Sequence, residues 1–182
     1  RADTFVSRAV SPPLSGVGAG RRILMVDHED SFVHTLVAYF RETGAEVVTL
    51  RAGFAIERLR AIAPDLVILS LGPGRPDDHE MRPLIAAVLV EAVPLFGVCL
   101  GLQGIVEFFG GRLETFAEPV HGKPGVVRNR GGWLLDGLPR RFDAGRYHSL
   151  YVSATAVPSA LRVTAQTDDG AVMAVEHDRL PI

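Results

Sequence analysis

The sequence predicts an α/β fold with an open, mostly parallel sheet, helices on both faces of that sheet, and a few antiparallel strands in the C-terminal half. Three observations predict this class. Short continuous apolar runs such as RILMVD and DLVILS are typical of strands that are covered on both faces. Segments with helical spacing separate these runs, which favours βαβ units. From Gly111 onward, turn residues divide the strand-like runs instead, which favours antiparallel pairing.

The elements follow one another in a regular, flavodoxin- or Rossmann-like order. Asp30 or Ser31 can cap the first helix and Gly44 can end it, because the apolar side chains between them repeat at helical spacing. The predicted parallel part comprises strand RILMVD, this first helix, strand AEVVTL, helix AIERLRAIA, strand DLVILS, helix MRPLIAAVLVEA, strand PLFGVC and a helix through Leu102, Ile105, Val106 and Phe109. The strands expected to add to this core are GRLETF, GVVRNR, GRYHSLYV, LRVTAQT and AVMAVEH.

Composition favours one domain and excludes several classes of partner. The chain has 182 residues, of which 47% are hydrophobic and 22% are charged, enough to bury one core. A net charge of −2 gives no basic surface for nucleic acid or for an anionic membrane. No apolar run approaches the roughly 18 residues that a membrane-spanning helix needs. The single cysteine excludes an internal disulfide and a cysteine-rich metal site, which favours a reducing, cytoplasmic compartment.

The chain is predicted to be a piece of a longer protein. Residues 1–20, which include SPPLSGVGAG, are typical of a linker or of the tail of a preceding domain. Residues 21–182 form the predicted domain. Its ending, EHDRLPI, contains no closing helix or capping loop, so we expect this domain to be incomplete at its C-terminus.

The lone cysteine lies in GVCLG, a glycine–nucleophile–glycine pattern between a predicted strand and a predicted helix. Such an elbow forces the nucleophile onto a strained turn, and side chains larger than hydrogen on either side would collide with neighbouring backbone. The pattern predicts that Cys99 is a nucleophile at a helix N-terminus, where the helix dipole favours the thiolate. A buried, unreactive cysteine and a cysteine hydrolase of another kind are the alternatives.

Two further features accompany this elbow. Gln103 lies one helical turn after Cys99, so its amide can face the same pocket, although a glutamine facing solvent is equally compatible with the pattern. LGPGRPDD follows a buried strand, and Gly72 and Gly74 can present backbone N–H groups to a developing oxyanion. A turn without chemical function is the alternative for this segment.

Five motifs in order, DHEDSF, GPGRP, GVCLGLQGIVEFFGG, PVHGK and RYHSLYV, resemble the class I (triad-type) glutamine amidotransferase family over residues 21–182. The resemblance implies hydrolysis of L-glutamine through a Cys99 thioester, without a cofactor or metal in this part. It implies that the N–H groups of Gly72 and Leu100 form an oxyanion hole. The positions that resemble glutamine-binding residues are Gly72, Pro73, Gly74, Gln103, Ser149 and Leu150.

Within the family, the motifs are most similar to the glutaminases that supply ammonia to a chorismate-using synthase for anthranilate formation, in particular those fused behind that synthase. This likeness implies a synthase domain or subunit as partner, with Mg²⁺ expected only in the synthase. Para-aminobenzoate-forming relatives are the second candidate, and a non-catalytic glutamine-binding or assembly partner is a third.

The sequence departs from the family pattern in two places. Leu71 stands where the family usually has proline, so the backbone before the oxyanion turn is less restricted. The family base lies in a His-Pro-Glu motif after an ELPI-like segment, and this chain ends at DRLPI. His148 is the closest rival as a base, but the resemblance makes it a support for the Ser149 and Leu150 loop. We therefore expect the chain to be inactive alone.

Overall fold

The structure is a computed structural model that describes residues 16–182. The predicted linker of residues 1–20 thus lies mostly outside the described residues. Its last five residues form turns, and the N–H groups of Gly16 and Gly18 donate hydrogen bonds of 3.0 Å and 2.8 Å to the carbonyl oxygen of Thr43. These two hydrogen bonds hold the beginning of the described chain against the end of the first helix.

The N-terminal half forms a four-stranded sheet in which all described pairings are parallel. Its strands are β1 (Arg22–Asp27), β2 (Glu46–Arg51), β3 (Leu66–Leu69) and β4 (Leu95–Gly97), in the spatial order β2-β1-β3-β4. The central strands are almost wholly buried, as their continuous apolar runs predict.

Helices cover both faces of this sheet. They are α1 (Val33–Glu42), α2 (Glu57–Ile62), α3 (Met81–Val90) and α4 (Leu100–Phe108). Alternate side chains of β1 point to opposite faces: Ile23 and Met25 pack in the cluster that contains α1, whereas Leu24 and Val26 pack with α2, α3 and α4. The mostly parallel sheet with helices on both faces is confirmed.

The first helix begins differently from its predicted cap. The Asp30 carboxylate accepts the N–H of Phe32 at 2.7 Å, and the helix itself starts at Val33 without a side-chain cap. Asp30 therefore shapes a turn before the helix rather than satisfying the N–H groups of its first turn.

The antiparallel strands form a sheet of their own rather than extending the parallel one. They are β5 (Glu114–Asn129), β6 (Arg141–Tyr151), β7 (Leu161–Thr167) and β8 (Val172–His177), in the order β6-β5-β7-β8. The predicted strands GRLETF and GVVRNR are joined in the single strand β5, whose pairing with β6 contains register shifts. The second sheet packs on the helical layer of the first, because Val152, Leu161, Val172 and Val175 share one buried cluster with α3 and α4.

The parallel topology places three loops together. β1, β3 and β4 are neighbours and run in the same direction, so the residues that follow Asp27, Leu69 and Gly97 meet at one edge of the sheet. This edge contains the DHEDSF, LGPGRP and GVCLG motifs.

Among the helices described in residues 16–182, none is long and apolar enough to cross a membrane.

Two glycines of α4 set how closely this helix packs. A Cβ on Gly101 would overlap the carbonyl oxygen of Leu69 and lie 2.7 Å from the Leu69 Cβ, which belongs to β3. A Cβ on Gly104 would instead meet the Met81 sulfur of α3, the movable end of a flexible side chain. The two positions therefore differ in how an added methyl group can be accommodated.

We expect Gly101→Ala to lower the free energy of unfolding by about 1–3 kcal/mol, because the backbone of β3 cannot move aside. Gly104→Ala is the matched control, since both substitutions gain about 1 kcal/mol of helix propensity. Its net effect on the free energy of unfolding should be smaller. Urea denaturation followed by circular dichroism measures both, and equal losses would contradict this packing argument.

Candidate active site

Cys99 occupies a strained turn between β4 and α4. Its φ of 54° and ψ of −101° are unusual for a residue with a side chain. A Cβ on Gly97 would lie 2.5 Å from the carbonyl carbon of Gly101, and a Cβ on Gly101 would overlap the carbonyl oxygen of Leu69. Glycine is thus required on both sides of Cys99, as the elbow pattern predicts.

The thiol of Cys99 is exposed on part of its surface and has a raised pKa. Burial by the surrounding protein raises the pKa most, the N–H of Leu100 lowers it, and the negative charge of Asp30 raises it further. The helix N-terminus contributes in the expected direction, but desolvation outweighs it. Among residues 16–182, no side chain forms a hydrogen bond with the thiol.

The oxyanion turn lies against the start of α4. A Cβ on Gly72 would be 2.8 Å from the Leu100 side chain and 2.6 Å from the carbonyl oxygen of His28, so only glycine fits. Among the turn, loop and cap hydrogen bonds of residues 16–182, none has the N–H of Gly72 or Leu100 as its donor. The structure thus places Gly72 against the side chain of Leu100, the other residue predicted to stabilise an oxyanion.

The rest of this turn is held by its own hydrogen bonds. His79 is half-buried, and its Nε2 donates to the carbonyl oxygen of Pro73 at 2.9 Å. Gly74 has a φ of 75°, and a Cβ there would lie 2.5 Å from the Asp78 carboxylate. That carboxylate accepts the N–H of Arg75 at 2.7 Å. Pro73 and Gly74 are thereby kept in a defined, exposed turn.

Gln103 is buried rather than solvent-facing. Its Nε2 donates a hydrogen bond of 3.1 Å to the carbonyl oxygen of Leu150, a residue of β6. Helix α4 and the second sheet are therefore connected at two of the positions predicted to bind glutamine. Ser149 precedes Leu150 and is half-buried in the same strand.

Both ring nitrogens of His148 are engaged. Nδ1 donates to the carbonyl oxygen of Leu150 at 3.0 Å, and Nε2 accepts a hydrogen bond of 3.3 Å from Arg146. Burial lowers the pKa of His148, which favours the neutral ring that this pairing needs. His148 therefore supports Leu150 within strand β6, rather than in the loop that the resemblance implies, and both of its ring nitrogens are already used.

His28 lies at the same edge of the parallel sheet as the cysteine elbow, and the sequence did not reveal that it is buried. It directly follows β1, and its side chain is completely buried under the oxyanion turn. Burial lowers its pKa to about 4, with the nearby His79 lowering it further. The signal that could have found it is its position directly after a buried parallel strand.

An α/β sheet with a strained cysteine elbow beside a glycine turn defines a class of nucleophilic enzymes. The family profile described as glutamine amidotransferase class-I matches residues 24–182. The chain belongs to this family.

Curated relatives carry related names. The chain is 58% identical over 165 residues to "Anthranilate synthase" of Azospirillum brasilense, covering 91% of this chain but only 22% of that protein. It is 43% identical to "Anthranilate synthase component 2" of the same organism, covering 88% and 83% of the two chains. It is 38% identical to "Aminodeoxychorismate/anthranilate synthase component 2" of Bacillus subtilis, covering 88% and 83%.

Solved structures share the fold. A glutamine amidotransferase of Thermotoga maritima superposes with a TM-score of 0.69 at 16% identity, covering 88% of this chain and 74% of that one.

The charge of Asp30 should be visible in the reactivity of Cys99. We expect Asp30→Asn to lower the thiol pKa, because the negative charge is lost while the amide oxygen can still accept the N–H of Phe32. Alkylation by iodoacetamide at pH 7 should then be faster, and its pH profile should shift to lower pH. Asp136→Asn is the control and should leave the profile unchanged. An unchanged profile in Asp30→Asn would contradict this charge effect.

The buried His28 should make stability depend on pH. Its pKa is about 4 in the folded protein against 6.5 unfolded, so the unfolded chain binds more protons between these values and stability falls as pH falls. The slope from this group is about 1.4 kcal/mol per pH unit, or about 3 kcal/mol in all. Urea denaturation at pH 7 to 4 should therefore show a flatter profile for His28→Asn. The exposed His121→Asn should follow the wild type, and parallel profiles for all three proteins would refute the assignment.

Proposed function

We propose that this chain is the glutaminase part of an anthranilate synthase, supplying ammonia from L-glutamine to a chorismate-using synthase. The strained Cys99 elbow beside the N–H groups of Gly72 and Leu100 carries the proposal. The names of the relatives at 58% and 43% identity support the choice of acceptor. Since the chain spans 22% of the first of these relatives, the synthase would be a fused domain or a separate subunit.

In the proposed reaction the Cys99 thiolate attacks the side-chain amide carbon of glutamine, forming a carbon–sulfur bond and a tetrahedral oxyanion. The N–H groups of Gly72 and Leu100 stabilise this oxyanion. The carbon–nitrogen bond then breaks, and the amide nitrogen leaves as ammonia after gaining a proton. Water attacks the resulting thioester, the carbon–sulfur bond breaks, and glutamate and the thiolate are released.

The substrate would lie between α4 and β6. Gln103 and Leu150 already contact each other there, and Ser149 is adjacent. We propose that Gln103 and Leu150 line one side of the bound glutamine and that Gly72, Pro73 and Gly74 line the other. The side-chain amide of glutamine would then face Cys99.

The raised pKa of Cys99 makes a base necessary, because only a small fraction of the thiol is ionised at neutral pH. His148 uses both ring nitrogens in other hydrogen bonds, and His79 uses its Nε2. We therefore propose that the base is a histidine outside residues 16–182, oriented by a glutamate. The glutaminase chemistry needs no cofactor, Mg²⁺ belongs to the synthase, and the free thiol fits a reducing cytoplasm.

A second acceptor is supported by one relative. The Bacillus subtilis protein at 38% identity is named for both aminodeoxychorismate and anthranilate synthesis. Both acceptors use the same glutaminase chemistry, so the residues of this site do not distinguish between them. Mass spectrometry of the aminated product formed from chorismate separates the two.

We expect the 182-residue chain alone to release little ammonia from glutamine. If the natural protein continues with the histidine and glutamate proposed above, a version extended to include them should release ammonia about 10²–10⁴-fold faster, because a general base of this kind contributes that much. Coupled glutamate dehydrogenase assays measure ammonia directly. Equal rates for the two chains would contradict the external base.

The nucleophile is tested in the extended chain. Cys99→Ala should reduce ammonia release to background while glutamine still binds, as measured by calorimetry. Hydrolysis at the wild-type rate in this variant would contradict the proposed function. Binding without hydrolysis in the extended wild type would instead favour the non-catalytic partner.

A further inference from the structure

A buried chain of hydrogen bonds lies directly behind the oxyanion turn. The Ser70 hydroxyl donates to the carbonyl oxygen of Leu71 at 2.7 Å. The same hydroxyl oxygen is 3.1 Å from the backbone nitrogen of His28 and 3.1 Å from its Nδ1. Ser70 and His28 have no accessible surface, so no solvent competes for these groups.

The proton positions in this series of hydrogen bonds follow from which atom donates and which atom accepts in each bond. The only proton of the Ser70 hydroxyl goes to Leu71, so toward His28 the hydroxyl oxygen can only accept. His28 must therefore donate from Nδ1, which leaves Nε2 without a proton. Among residues 16–182, Nε2 is indeed buried without a hydrogen-bond partner. The lowered pKa of His28 agrees with a neutral ring that carries a single N–H.

The acceptor at the end of this chain belongs to the peptide that matters for the oxyanion. The carbonyl of Leu71 and the N–H of Gly72 are parts of one planar peptide group, and in a trans peptide they point in opposite directions. Fixing the carbonyl on Ser70 therefore fixes the direction of the Gly72 N–H. Leu71 lacks the restricted φ of proline, so the orientation of this peptide depends on such a bond.

We propose that Ser70 and His28 are positioning residues that hold the Leu71–Gly72 peptide in the orientation required of an oxyanion-hole donor. The inference rests on the proposed glutaminase function. Neither side chain touches glutamine: Ser70 acts through the peptide, and His28 acts through Ser70. The two residues follow β3 and β1, so the parallel sheet itself supplies the framework for the donor.

The test measures glutamine hydrolysis in the full-length protein with chorismate present. Ser70→Ala should lower kcat about 10–100-fold, while KM for glutamine stays within about threefold. An oxyanion donor acts on the transition state, and a donor displaced by about 1 Å loses most of its effect. His28→Leu should behave in the same way. His28→Asn retains a side-chain N–H near the position of Nδ1 and should keep kcat within about threefold of the wild type.

Further controls separate this role from general destabilisation. Val163→Ala removes apolar contacts at the second sheet, away from this hydrogen-bond chain, and should leave kcat unchanged despite lost stability. The alkylation rate of Cys99 should be the same in Ser70→Ala as in the wild type, since the thiol is not altered. An unchanged kcat in Ser70→Ala, or equal losses in His28→Asn and His28→Leu, would overturn the proposal.

A second measurement distinguishes failure of this inference from failure of the proposed function. If the full-length wild type does not hydrolyse glutamine, the proposed function is wrong. In that case, crystal structures of the wild type and of Ser70→Ala test the positioning role. A rotated or doubly occupied Leu71–Gly72 peptide in the variant supports it. A peptide unchanged from the wild type overturns it.

Discussion

The site depends on the close approach of helix α4 to the carboxyl ends of β3 and β4. That approach is possible because Gly97 and Gly101 have no side chains where the backbones meet. It forces Cys99 to a φ of 54° and places the Leu100 side chain against Gly72. The nucleophile, the two oxyanion-type N–H groups and the buried support behind them are therefore consequences of one packing arrangement. A larger residue at either glycine would disturb all of them together.

A second connection joins the two sheets at the carbonyl oxygen of Leu150. This oxygen accepts hydrogen bonds from Gln103 of α4 and from His148 of its own strand. Arg146 completes the arrangement, because it donates to His148 and pairs with Asp169 at 2.6 Å while it is mostly buried. The antiparallel sheet is thus connected to helix α4, which begins directly after Cys99. The Arg146–Asp169 bond is charge-assisted and therefore stronger than a hydrogen bond between neutral groups.

Burial sets the protonation state of the groups around the thiol. It lowers the pKa of His28 and His148 and raises that of Cys99, so all three favour their uncharged forms. The two histidines serve as directional hydrogen-bonding groups with fixed tautomers. Histidine rings held in this way orient their neighbours but exchange protons poorly. They therefore differ in role from the acid–base residue that the chemistry requires.

The sequence by itself determined the order of strands and helices and the elbow at Cys99, because apolar periodicity and glycine spacing are local signals. It did not reveal that the antiparallel strands form a separate sheet, since strand pairing depends on contacts distant along the chain. Only the tertiary structure decided that Gln103 is buried against Leu150, that His28 lies under the oxyanion turn, and that desolvation outweighs the Leu100 N–H in setting the pKa of Cys99. Each of these depends on which distant residues exclude water from a side chain, and that is settled when the sheets and helices pack.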